Sequence, residues 1–218
     1  MRKVTLSMLA IVTIAFVGCK NEKTEAGEAE VVAPIEAEAV GYGIDASASN
    51  VAWVGSKPAG KHNGTIAVSE GEISVKDGVI VGGKFGIDMN TITVLDLTEA
   101  DGKLDLEGHL KGLTKENEDH FFNVTKYPTA SFEITSISTE NAVTTVNGNL
   151  TMKDITKNVS FTAALTVDDT KASIISEPFK INRTQWGVNY ASKSLFDDLK
   201  DKFVDDEIEL KVTAFATK

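Results

Sequence analysis

Phe121-Phe122-Asn123-Val124-Thr125-Lys126-Tyr127-Pro128-Thr129-Ala130-Ser131-Phe132 joins an aromatic pair to a Tyr-Pro corner and then to a strand. Pro128 fixes its own φ and biases Tyr127 away from helix, so the reading predicts a short helix that carries Phe121 and Phe122 and ends before the corner. From Ala130 the side chains alternate. Ala130, Phe132 and Ile134 share one face and Ser131, Glu133 and Thr135 the other, the period of a half-buried strand.

The same alternation recurs on both sides of this stretch. Val79, Val81, Gly83, Phe85, Ile87 and Met89 share one parity, as do Val159, Phe161, Ala163, Leu165 and Val167, and Ile208, Leu210, Val212 and Ala214. Tight turns fit at Lys76-Asp77-Gly78 and at Asp168-Asp169, so neighbouring strands pair as hairpins. Two regions break the rhythm. Leu104, Leu106, Leu110 and Leu113 lie among charged residues without strict alternation, which favours one or two short helices between Thr98 and Phe122. Asn189 to Lys202 is a second helical candidate, with Ser192 and Ser194 as N-caps and Leu195, Phe196, Leu199 and Phe203 as its stripe. The fold class is all-β, an antiparallel barrel or sandwich.

The chain opens with Arg2 and Lys3 and then the apolar run Leu6 to Val17, too short for an ordinary membrane span and read as a signal peptide over residues 1–18. Gly18 stands directly before Cys19, the only cysteine. This looks like the lipobox of a bacterial lipoprotein, whose cleavage would leave an acylated Cys19 as a firm lipid anchor. Residues 19–40 are rich in Glu and Ala and carry no aromatic side chain, so the reading predicts a disordered acidic stalk. Residues 41–218 remain for one folded domain. Loss of Arg2 and Lys3 with the signal leaves 20 basic against 32 acidic residues, a charge of −12, which argues against nucleic acid and against attraction to anionic headgroups.

The Phe121–Phe132 stretch closely resembles the central signature of the YceI-like family, and further segments resemble that family in order. They are Tyr42-x-Ile44-Asp45, Val146-x-Gly148-x-Leu150-Thr151 with Ile155-Thr156-Lys157-x-Val159, Asn182-Arg183-Thr184-Gln185-Trp186-Gly187-Val188, and Asp205-Asp206-Glu207-Ile208-Glu209-Leu210. The resemblance implies a lipocalin-like β-barrel of about eight strands with one to three short helices, in the bacterial cell envelope. It also implies a long apolar pore for a polyisoprenoid or other long-chain amphiphilic lipid, and no cofactor. Two departures stand out. Ser47-Ala48-Ser49-Asn50 replaces a His-Ser pair that many members carry after the opening Asp. The run Trp53-x-Gly55-x-Lys57-Pro58-x-Gly60-x-His62-x-Gly64 looks like a branch-specific version of the first two strands.

The candidate ligand-binding set is Trp53, His62, Phe85, Ile87, Phe121, Phe122, Phe132, Ile134, Phe161, Leu165, Arg183 and Trp186. Each aromatic serves equally well as ordinary core. Arg183 has two readings, a fork of donors for a phosphate or carboxylate head group and a buried ion pair fixing the barrel end, and the second is favoured. His62 is either a mouth residue that bonds a head group or a surface histidine between glycines. No catalytic residue is nominated: His62, His109 and His120 lack metal-site spacing, no G-x-S-x-G elbow is present, and Asp197-Asp198 and Asp205-Asp206 read as solvated pairs. The expected partners are the lipid and, through Cys19, a membrane, the outer membrane in this reading; a homodimer is compatible. The competing reading is a surface module that binds protein or glycan through its outer loops over a ligand-free barrel.

Overall fold

The computed structural model describes residues 26–34 and 38–218. The strands are β1 (Gly27–Glu28), β2 (Val40–Ile44), β3 (Asn50–Lys57), β4 (Gly60–Lys76), β5 (Val79–Val94), β6 (Thr129–Glu140), β7 (Val143–Met152), β8 (Ile155–Val167), β9 (Lys171–Ser176), β10 (Phe179–Asn182) and β11 (Glu207–Thr217). The helix α1 (Lys103–Lys111) and 3-10 turns at Glu99–Asp101, Arg183–Trp186 and Lys200–Lys202 complete the elements. All ladders are antiparallel, and the sheet closes on itself as a lipocalin-like barrel.

Ten of the eleven strands make eight staves, and β1 pairs with β8 alone. Going round, β3, β4, β5, β6, β7, β8, β9 and β11 each pair with the next, and β11 returns to β3. Two staves are broken. β2 continues the β3 position between β4 and β11, and β10 continues the β9 position along β11. Among the described residues no backbone ladder joins β10 to β8, so the wall has a seam there.

Alternation sets the inside. Phe85, Ile87, Ala130, Ile134, Val146, Leu150, Val159, Phe161 and Leu210 are buried and face a common core, while the alternate residues of their strands project from the outer face. β-Bulges re-aim side chains where the simple period fails. In β5, Ser74 pairs with Gly82 but Val75 with Ile80, so Val81 is an extra residue and the parity flips. Val79 and Val81 therefore point outward, 60% and 44% exposed, and Ile80 takes the core position; the predicted inward run over Val79–Met89 holds only from Gly83 onward. The Lys76-Asp77-Gly78 turn forms as expected, with Asp77 and Gly78 both at positive φ, the conformation a two-residue hairpin needs.

Of the predicted helices, the one between Thr98 and Phe122 forms as α1 with the 3-10 turn Glu99–Asp101, while the helix carrying Phe121 and Phe122 and the one over Asn189–Lys202 do not. The helix before the Tyr-Pro corner stops at Lys111, because Gly112 turns left-handed at its end, and Phe121 and Phe122 lie in the following loop. That loop satisfies the helix's free carbonyls: Phe122 N–H donates to Leu110 O and Val124 N–H to Lys111 O. Asn189 to Lys202 is not a helix either. Ala191, Asp198 and Lys200 take positive φ, which breaks an α-helix, and only a 3-10 turn at Lys200–Lys202 appears.

The predicted stalk is corrected in part as well. Gly27 and Glu28 pair with Asn158 and Lys157 of β8, so this piece of residues 19–40 lies on the barrel and is not disordered. Its acidic residues gain partners while staying exposed: Lys157 reaches Glu28, Thr135 donates to the Glu30 carboxylate, and Asn149 bonds both the N–H and the carbonyl of Glu30. Cys19 and the signal segment lie outside the described residues. Among the described residues no helix is long and apolar enough to cross a membrane.

Candidate functional site

The barrel interior holds a cavity of about 370 Å³ toward the end where α1 and the Asn189–Val204 loop sit. Its volume falls within the range of small-molecule sites. The walls are Trp53, Ile66, Ile87, Met89, Ile92, Ala130, Leu150, Met152, Ile208 and Leu210, all apolar residues from inward strand positions. Leu106, His109 and Leu110 of α1 cover it from above with Phe121, Phe122 and Tyr190, and Gly55, Ser56, Lys57, His62 and Lys202 stand at its rim. Deeper in the barrel lies a second, wholly apolar space of about 50 Å³ bounded by Phe85, Phe132, Ile134, Phe161 and Phe179. The two share Val51, Ile87, Leu150 and Leu210, which stand between the upper and lower spaces as a narrow neck.

Helix α1 is placed by one side chain above all. Glu107 accepts the backbone N–H of Val94 at the end of β5, where the ladder has no further strand to serve it. On the pore side of the helix, His109 Nε2 is 2.8 Å from His120 Nδ1, and His109, His120, Phe121 and Tyr190 stack edge and face against one another. Burial first, then the neighbouring His120, pushes the His109 pKa below its ordinary value. His109 is thereby kept neutral, as suits a lid over an apolar chamber.

Arg183 is 2% exposed and four of its five N–H donors are spoken for. Nε donates to Asp205 O, Nη1 to Val188 O at 2.6 Å, and Nη2 to both Tyr190 O and Val204 O; Asp206 lies 3.8 Å away. The guanidinium ties together the loop that caps the pore, which is the structural role and leaves no donor pair for a head group. Burial would raise the pKa of Asp206, but the Ser192 and Ser194 side chains and then the Arg183 charge outweigh it and hold the carboxyl low. Those serines were predicted as helix caps; they anchor the loop to this carboxylate instead.

The other nominated residues separate into three groups. Trp53, His62, Ile87, Phe121 and Phe122 line the upper chamber, and Phe85, Phe132, Ile134 and Phe161 the lower one, with Ile87 common to both. His62 Nδ1 is fixed at 2.9 Å from Asp96, so the ring stands at the rim with its other nitrogen unengaged by that pair. Leu165 lines neither space, because it lies beyond the lower chamber toward the Asp168 turn. Trp186 is fully buried, and its indole N–H donates to Leu150 O, so it plugs the wall between β7 and the 3-10 turn. Ser49, in the stretch that departs from the family pattern, is also structural: its hydroxyl bonds the Phe215 N–H and C=O. Sequence reasoning missed Met89, Ile92, Met152, Val188, Tyr190 and the pore face of α1. Only Met152 and Met89 carried a signal, the parity of their strands; Ile92 lies past a register shift in β5 that breaks that parity, and the rest depend on how the loops and α1 are placed.

The YceI-like domain model matches residues 42–216. The chain belongs to the YceI-like family. No curated protein sequence matches it. Among solved structures, Burkholderia cenocepacia BcnA is 19% identical with a TM-score of 0.60, over 80% of this chain and 99% of that one. A polyisoprenoid binding domain from Saccharophagus degradans is 14% identical with a TM-score of 0.56, over 81% of this chain and 97% of that one. At such identities the likeness carries the barrel, and the apolar lining described above is this chain's own. Among the described residues no group of three or more His, Cys, Asp or Glu side chains is placed to hold a metal ion.

Proposed function

We propose that this YceI-like barrel binds and carries a long-chain amphiphilic lipid, of the isoprenoid or quinone-precursor kind, with its tail in the pore and its polar end at the rim near His62, Lys57 and Lys202. The observation that supports this most is the apolar interior: a chamber of about 370 Å³ that opens among polar residues, with a second, wholly apolar space beyond the residues the two share. The Saccharophagus degradans relative, described as a polyisoprenoid binding domain, is consistent with it. The drive is burial of the tail, about 0.8 kcal/mol per methylene, and no covalent chemistry is required. Acylation at Cys19 would tether the carrier to the outer membrane of a bacterial envelope. Native mass spectrometry and organic extraction of protein purified from its own cells should give a stoichiometric chain lipid. Repeated recovery of ligand-free protein from gentle preparations sinks the proposal, and metabolic labelling with palmitate, lost in Cys19→Ser, tests the anchor separately.

A further inference from the structure

The seam between β8 and β10 is closed by three different things. At the capped end the 3-10 turn Arg183–Trp186 fills it. Further along, Phe161 of β8 stacks on Phe179 of β10 with centroids 4.7 Å apart, and both rings bound the lower chamber. Outside lies β1, on the β8 edge that β7 does not use, with Ala26 packed against the core.

The barrel wall is built to receive this strap. Thr135, Asn149 and Asn158 project from the outer faces of β6, β7 and β8, yet Thr135 and Asn158 are 9% and 8% exposed. Asn158 Nδ2 donates to Thr135 Oγ1 and Asn149 Oδ1, Thr135 donates to the Glu30 carboxylate, and Asn149 bonds Glu30's backbone on both sides. Outward polar side chains in a barrel are ordinarily solvated; here they form a connected amide and hydroxyl ledge that only the strap satisfies from outside. A two-residue ladder is weak on its own, so the strap can leave at modest cost.

We propose that the segment Ala26–Glu30 is a door on the side of the pore: docked, it holds the Phe161–Phe179 stack shut and limits the cavity to its upper chamber, and released, it lets a longer chain pass the neck into the seam. This rests on the lipid-carrier reading. The lower space of about 50 Å³ is too small for the far end of a long tail unless one of its walls moves. Among the described residues the seam is the part of the wall whose strands share no ladder, with the Glu177 N–H to Thr162 O bond closing only its start, and so the one that gives most easily.

The geometry offers a reversible lock. A Cβ at Gly27 would stand 4.0 Å from that of Asn158, within the range a disulfide requires. In a Cys19→Ser background, Gly27→Cys with Asn158→Cys should bind a dansyl-labelled 12-carbon fatty acid equally well oxidised and reduced. A dansyl-labelled 18-carbon fatty acid should associate at least tenfold faster with the reduced protein. Thr135→Val with Asn149→Ala, which loosens the strap without touching the pore, should speed the 18-carbon probe and leave the 12-carbon probe unchanged. Equal rates for the long probe in locked, reduced and loosened proteins overturn the door while leaving the carrier standing. Failure of both probes to bind any form overturns the carrier reading, and the door with it.

Discussion

Arg183→Ala should destabilise the empty barrel severely, whatever the ligand. The substitution removes a guanidinium that is 2% exposed and leaves the carbonyls of Val188, Tyr190, Val204 and Asp205 short of a donor, with the Asp206 carboxylate unpaired beside them. Breaking a buried pair from one side costs about 3–5 kcal/mol, most of it the penalty of the groups left behind. For a domain of this size each kcal/mol lowers the melting temperature by about 2–4 °C, so a loss of roughly 6–20 °C is expected. Arg183→Lys should fall between, since three ammonium donors cannot reach four carbonyls spread around a planar fork. Scanning calorimetry of delipidated protein measures this directly. A melting point within about 2 °C of wild type, together with weakened binding of an anionic lipid, would refute the reasoning and return Arg183 to the head-group site.

Filling the upper chamber with Ala130→Phe, at a buried pore-lining position, should abolish uptake of a dansyl-labelled fatty acid while far-ultraviolet circular dichroism stays unchanged. Gly64→Ala should cost about 1–3 kcal/mol by overpacking, because the added Cβ meets Thr93 O and the Trp53 ring; urea unfolding reads it out. His109 has a folded pKa below its unfolded one, so the unfolded chain binds more protons as the pH falls. Its share of stability is complete above the unfolded value, about 6.5, and lost as the pH drops below it; the urea midpoint should decline from pH 7.5 to 5.5 and do so less steeply in His109→Gln.

What the sequence could reveal tracks how local the physics is. The inward faces of β6, β8 and β11 were legible because alternation is a property of neighbouring residues, and the Asp77-Gly78 turn because its backbone demands those residue types. The outward turn of Val79 and Val81 was not, since a bulge depends on which residue the partner strand presents. Nor was the fate of Asn189–Lys202. Its residues have helical spacing, but Ser192 and Ser194 gain more by holding Asp206 next to Arg183 than by capping a helix. The strap escaped for the same reason. Composition alone marks residues 26–30 as unable to bury a core, and they do not; they pair with an edge that β9 vacates more than a hundred residues later in the chain.

These placements bear on what the pore can discriminate. Its most strongly polar inward residue, Arg183, is consumed by backbone carbonyls, His62 is tied to Asp96, and Trp186 donates to Leu150 O. Trp53, in the wall of the upper chamber, keeps a buried indole N–H without a partner among the described residues; apart from it, directional bonds to a ligand are left to the rim, where water competes and each contributes little net energy. Below the rim, the Trp53 indole aside, the walls distinguish ligands by how many methylenes they bury and whether these pass the Val51–Ile87–Leu150–Leu210 neck. Affinity should accordingly rise with chain length by about fifteenfold for every two methylenes, as 0.8 kcal/mol each implies, and stop rising where the tail meets the Phe132, Phe161 and Phe179 rings. A homologous series of fatty acids measured by calorimetry would show that break. Affinities that follow head-group charge and ignore chain length would mean that selection happens at the rim and that the pore is only a receptacle.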